Sequence, residues 1–101
     1  MIVERATYFA KNGQQAKMAE MVQEQIDGNT AFTGAYRIYL ADIGGPHNAV
    51  VVEWEHEDVP AMRAAWKAWG SKPETPEFIE KLREVSQGGG HTETWRLVAK
   101  R

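Results

Sequence analysis

The stretch Asn48-Ala49-Val50-Val51-Val52-Glu53-Trp54-Glu55-His56 decides how the rest of the chain is arranged. Ala49 to Val52 is an unbroken apolar run rich in β-branched valine. Such a run reads as a strand buried on both faces, and a strand of that kind belongs in the middle of a sheet. Upstream, Tyr36-Arg37-Ile38-Tyr39-Leu40 alternates like a strand with one polar face. Between the two lies Ile43-Gly44-Gly45-Pro46-His47, dense in turn residues, so they form a hairpin.

Toward the N-terminus, Ile2 to Ala10 is a first strand. Its faces are Ile2, Glu4, Ala6, Tyr8 and Val3, Arg5, Thr7, Phe9. Both are mixed, so alternation alone leaves open which one meets the core. Asn12 is an N-cap type, and helix is expected from Gly13 to Ile26, with Ala16, Ala19, Val22 and Ile26 as its stripe, widened by Met18 and Met21. Gly28 stands where a left-handed C-cap is wanted. Asn29 to Gly34 is loop.

Toward the C-terminus, Asp58 caps a second helix with Pro60 in its first turn, and Val59, Met62, Trp66 and Trp69 recur at helical spacing. Gly70-Ser71-Lys72-Pro73 breaks that helix. Thr75 is expected to cap its resumption, with Pro76 at the first position and Phe78, Ile79, Leu82 and Val85 on the buried side. Gly88-Gly89-Gly90 ends it, and His91 to Val98 is a last strand.

The order strand, helix, strand, strand, broken helix, strand leaves one dominant solution under short, right-handed connections. It is an α+β ferredoxin-like βαββαβ fold over residues 1–101, a four-stranded antiparallel sheet with its helices on one face. The other face keeps apolar groups (Phe9, Tyr39, Val51, and Trp95 or Val98) that the helices leave uncovered. A second copy, sheet against sheet in a homodimer, is the economical cover.

Composition narrows the function classes. The chain has 101 residues, 43% apolar content and a formal charge of −2, enough for one core and without a basic run for nucleic acid. No stretch approaches the ~20 apolar residues of a membrane span. An acid at Glu4 falls where a signal peptide would be apolar, so a cytoplasmic location is expected. The absence of cysteine removes disulfides, thiol nucleophiles and thiolate metal sites.

Glu4-Arg5-Ala6-Thr7-Tyr8-Phe9-Ala10-Lys11-Asn12-Gly13 followed by Ala16 resembles the opening of NIPSNAP-domain proteins. Val52-Glu53-Trp54-Glu55, Arg63-Ala64-Ala65-Trp66-Lys67-Ala68-Trp69, and Pro73-Glu74 ahead of Phe78-Ile79 look like the second half of the same domain. Thr75 and Pro76 stand where family patterns place a Trp. The resemblance implies the dimeric α/β-barrel superfamily, whose members pair their sheets and hold ligands between sheet and helices. Haem-degrading members carry an imidazole four residues after a helical Phe and an Asn seven before the Gly that opens the first helix. Here those positions are Leu82 and Ala6, and only Trp69 matches, so no haem and no other cofactor is expected. The same count puts Glu4, Ala6 and Tyr8 on the cavity side of the first strand and sends Arg5 to the helix-facing side.

Two functions follow as expectations. The first is a binding module without chemistry, taking a small aromatic or apolar ligand. Tyr8 and Trp69 would clamp it, and Arg37 and Glu53 would anchor it. The alternative is a cofactor-independent monooxygenase or isomerase acting on an aromatic or polyketide-like substrate, with Glu4, Tyr8 or His91 as its base. His91 and Glu93 share a strand face, a spacing compatible with metal ligands, but no third ligand stands beside them and no metal is expected. An Arg37–Glu53 pair and the Trp66–Trp69 pair each have a simple structural reading as well, as cross-strand ion pair and core packing.

Overall fold

A computed structural model describes residues 1–101. Its elements are β1 (Ile2–Phe9), α1 (Gln15–Asp27), β2 (Tyr36–Leu40), β3 (Ala49–His56), α2 (Val59–Gly70), α3 (Thr75–Val85) and β4 (His91–Arg96). The strands form one antiparallel sheet in the order β2-β3-β1-β4, the ferredoxin-like arrangement. The valine run thus lies in a central strand, as its composition requires.

Register assigns the faces. Ala6 opposes Val52 and Tyr8 opposes Val50, while Ile38 opposes Val52 from the other side. Ala6, Val52 and Trp54 pack with Val22 and Ile26, and Val50 packs with Met18, Ala10 and Val85. Met18, Val22 and Ile26 are four residues apart, so one stripe of α1 carries the contact. Full burial of each such side chain contributes about 1.5–3 kcal/mol. The outer strand β4 has little cover, and only Glu93 of its residues is not exposed.

Several local expectations are corrected. Gly13 takes φ +79° and α1 begins only at Gln15, so Asn12 does not cap it. The Asn12 side-chain oxygen instead accepts from Asn48 Nδ2 at 2.6 Å, tying the start of α1 to the start of β3. No side chain caps α1; Gln15, its first residue, donates instead to the carbonyls of Ala49 and Ala41 at 2.8 and 3.2 Å. Ala16, set in the apolar stripe, is exposed. Gly28 has φ −85°, not a left-handed value. Thr75 is the first residue of α3 instead of its cap, and its hydroxyl donates to the Trp69 carbonyl at 2.6 Å. Asp58 caps α2 as expected, accepting from the Ala61 amide at 2.8 Å.

The largest correction concerns β1. Helix side and cavity side are one face, carrying Glu4, Ala6 and Tyr8, and Arg5 lies on the open face. That open face is not simply apolar. Tyr39 and Trp95 are exposed on it, yet an Arg5–Glu53 ion pair occupies its centre.

Candidate functional site

A cavity of 220 Å³ lies between the sheet and the helices. Tyr8 reaches it from β1 and Trp54 from β3. The helices supply Val22, Gln25 and Ile26 from α1, Trp66 and Trp69 from α2, and Phe78, Ile79 and Leu82 from α3; Phe32 comes from the loop before β2. Trp66 is the hub of the aromatic wall. It stands edge-on to Phe32, Trp69 and Trp54 at centroid distances of 5.2, 5.4 and 5.7 Å. Edge-to-face pairs of this kind add about 0.5–1.5 kcal/mol each beyond burial.

Helical spacing explains how α2 delivers two indoles to one wall, since residues three apart share a face. The break after Gly70 lets α3 turn back and add Phe78, edge-on to Trp69 at 6.4 Å. Carbonyls freed by the break are not left bare. Ser71 Oγ donates to the Lys67 carbonyl at 2.8 Å, beside the Thr75 bond to Trp69.

Behind Trp66 sits Glu4, 2% exposed in the middle of a central strand. A carboxylate so placed needs donors, and it has two: Trp66 Nε1 at 2.6 Å and His56 Nε2 at 2.9 Å. Both oxygens are therefore engaged, and Glu4 itself does not line the cavity. Tyr8 does, and burial first, then the nearby Glu4 charge, pushes its phenol above the ordinary 10.0. Two indole donors, Trp54 Nε1 and Trp69 Nε1, are buried without a partner. Leaving a buried donor unpaired costs about 1–3 kcal/mol.

The expected site residues divide between the two faces. Tyr8 and Trp69 come together on the cavity. Arg37 and Glu53 do not join them, because odd-numbered residues of β2 and β3 point to the open face. Nor do those two form the expected pair. Arg5 Nη2 and Nε reach Glu53 Oε2 at 2.6 and 2.8 Å, and Tyr39 donates to Glu53 Oε1 at 3.1 Å. His91 is exposed on the open face, opposite Thr7 and bonded to Glu93 at 3.1 Å, so the sheet separates its side chain from Glu4 and Tyr8. The Glu4–His56–Trp66 network was not anticipated as a unit. Its signal was faint but present: His56 continues the inward series Val50, Val52, Trp54, and Glu4 opposes Trp54.

The fold and the walled cavity define an α+β protein of ferredoxin-like type with an internal aromatic pocket. Its structure is similar to that of an uncharacterized NIPSNAP-like domain protein from Burkholderia xenovorans, with TM-score 0.82 and 22% identity over 97% of this chain and 85% of that one. It is similar to a NIPSNAP family protein of unknown function from Agrobacterium tumefaciens, with TM-score 0.79 and 21% identity over 94% and 86%. An antibiotic biosynthesis monooxygenase shares the fold at TM-score 0.68 and 15% identity over 98% and 100%. No protein-family model matches the sequence, and no curated protein does. No helix is long and apolar enough to cross a membrane.

Proposed function

We propose that the chain binds one small, uncharged aromatic molecule in the Trp-walled cavity and performs no chemistry on it. One observation carries this reading: ten of the eleven residues lining the cavity are hydrophobic. Apolar walls with few polar contacts suit a flat ring system bearing one hydrogen-bonding group. Volume limits the size. A cavity of about 150 Å³ accommodates benzene, so 220 Å³ suits two fused rings. An anion is disfavoured there, since the Glu4 charge already acts against a phenolate at Tyr8.

The second reading is a cofactor-independent monooxygenase or isomerase, supported by the shared fold of an antibiotic biosynthesis monooxygenase. Such a reaction needs a base facing the substrate. Polar groups on the wall are the Tyr8 hydroxyl and the Gln25 amide. Tyr8, with its pKa raised, is a proton donor at neutral pH and not a base. The cavity volume of 220 Å³ also matches one or two rings better than a polyketide. The binding reading stands ahead on both counts.

A homodimer through the open face completes the proposal. Tyr39 and Trp95 are exposed there, and a whole sheet face offers the ~800 Å² per partner of an ordinary interface.

The test is extraction of small molecules from natively purified protein, followed by mass spectrometry. An aromatic compound of one or two rings, near one equivalent per chain, is expected. Recovery of a long-chain lipid or a charged metabolite instead would contradict the proposal.

A further inference from the structure

A second cavity, of 460 Å³, lies at the end of β3, between the loop that leads into β2 and the alanine side of α2. It shares Phe32 and Trp54 with the aromatic cavity but not Tyr8, Trp66 or Trp69. His56 connects it to Glu4. The His56 side chain is 8% exposed, and its Nε2 lies 2.9 Å from a Glu4 oxygen. A carboxylate only accepts, so Nε2 carries the proton, and in the neutral ring Nδ1 is left as an acceptor. Nδ1 bonds to nothing in the chain, and it is not one of the sealed polar atoms, which are Asn29 Nδ2, Trp54 Nε1 and Trp69 Nε1. It is therefore reached from the cavity that His56 lines.

The charge around this cavity is one-sided. Glu4 is buried, and an indole and an imidazole are the groups that touch its oxygens. Its sequence neighbour Arg5 is on the other face of the sheet, paired with Glu53. No lysine or arginine lines the cavity, while Glu57 lines it without an ion pair. Charged groups are almost never fully buried unless paired, so the arrangement lacks a cation. Phe32 and Trp54, stacked with centroids 5.8 Å apart, add aromatic surface of the kind that attracts ammonium groups. We propose that this second cavity binds a small primary amine as its ammonium ion, which donates to His56 Nδ1 and brings the positive charge that Glu4 lacks. Ala61, Ala64, Ala65 and Ala68 leave room for the alkyl part. This ligand differs in class from the uncharged ring assigned to the aromatic cavity, and its site stands whether or not that one is filled.

Isotope-labelled protein is titrated at about pH 8.5, above the ordinary imidazole range, with butylammonium, butanol and butyrate in turn. The three probes are aliphatic and equal in chain length, so only the head group differs and the aromatic cavity is not their target. Nitrogen NMR reads every imidazole, and His47 and His91, which lie outside the cavity, serve as controls. Butylammonium is expected to give a saturable shift at His56 Nδ1 and none at the other two rings. Butanol should bind at least about tenfold more weakly, and butyrate not at all. His56→Gln, checked for folding by circular dichroism and followed through the Ala64 and Ala65 amides, should lose about tenfold in butylammonium affinity. Should that variant fail to fold, the wild-type series decides alone. The proposal is overturned if no shift saturates, if all three imidazoles move together, or if butanol or butyrate matches butylammonium. Unchanged affinity in a folded His56→Gln, or a protonated Nδ1 at that pH, overturns it as well.

Discussion

Trp66 is held from two sides, by the rings it meets edge-on and by the Glu4 carboxylate that accepts its indole N–H. Residue-level chemistry therefore reaches the cavity indirectly: Glu4 fixes a wall, and Tyr8 is the titratable group on that wall. Tyr8 supplies a pH prediction whose sign follows from its raised pKa. The folded chain holds the Tyr8 proton more tightly than the unfolded chain does. Stability is thus unaffected by Tyr8 below pH 10.0 and falls as pH rises from there through the folded-state value. Tyr36, raised by its bond to Asp27, adds a loss of the same sign. Urea midpoints of Tyr8→Phe measured below and above pH 10.0 should fall less steeply than those of wild type, keeping only the Tyr36 part. Parallel curves would show that the Tyr8 phenol is not held in the folded interior. Individual residues were unevenly legible in the sequence. Arg37 and Glu53 are hairpin neighbours and looked like partners, but β3 has two flanking strands, and Arg5 competes from the other one. Glu4 and His56 are 52 positions apart, and only the β1–β3 register brings them to one face.

Among the elements, β3 was the most legible, because four apolar residues in a row have few homes in a domain of this size. Helix ends were read less well. A good capping residue at Asn12 was outweighed by the left-handed turn at Gly13 and by the bond from Asn48. Asp58 succeeded where Asn12 failed, since nothing else competes for its carboxylate. The end of the Gly88–Gly90 loop has a steric cause. At Gly90, φ is +103° and a Cβ would lie 2.3 Å from the Thr7 carbonyl oxygen, so only glycine lets β4 dock beside β1. Helix α2 has no fully buried residue and is attached chiefly through its indoles. Trp66→Ala should therefore cost ~3–5 kcal/mol in urea unfolding, as removal of a well-packed Trp does. Trp69→Ala should cost about 1–3 kcal/mol less, because Trp69 Nε1 has no partner to lose while Trp66 leaves Glu4 short of a donor. Equal losses would mean that the Glu4 bond contributes nothing to holding α2.

At the scale of the molecule, the sheet has two unlike faces. Its helix face encloses the aromatic cavity, and its open face carries the Arg5–Glu53 ion pair. The topology was legible because element order, short connections and the valine run all agree on it. Which face each polar residue would take was not, since mixed alternation in β1 fits either choice. Arg37 and Glu53 lie two residues from Tyr39 and Val51 and share their open face, so grouping them with Tyr8 and Trp69 crossed the thickness of the sheet. The cavity itself is a product of three helices and two strands, and no single stretch announces it. The most direct test of the account is a calorimetric titration of wild type and Trp69→Ala with indole, a neutral two-ring probe. Wild type should bind one indole per chain with a dissociation constant on the order of tens of micromolar, and Trp69→Ala should bind at least about tenfold more weakly. Unsaturable heats, identical in the two proteins, would contradict a ligand site in this cavity.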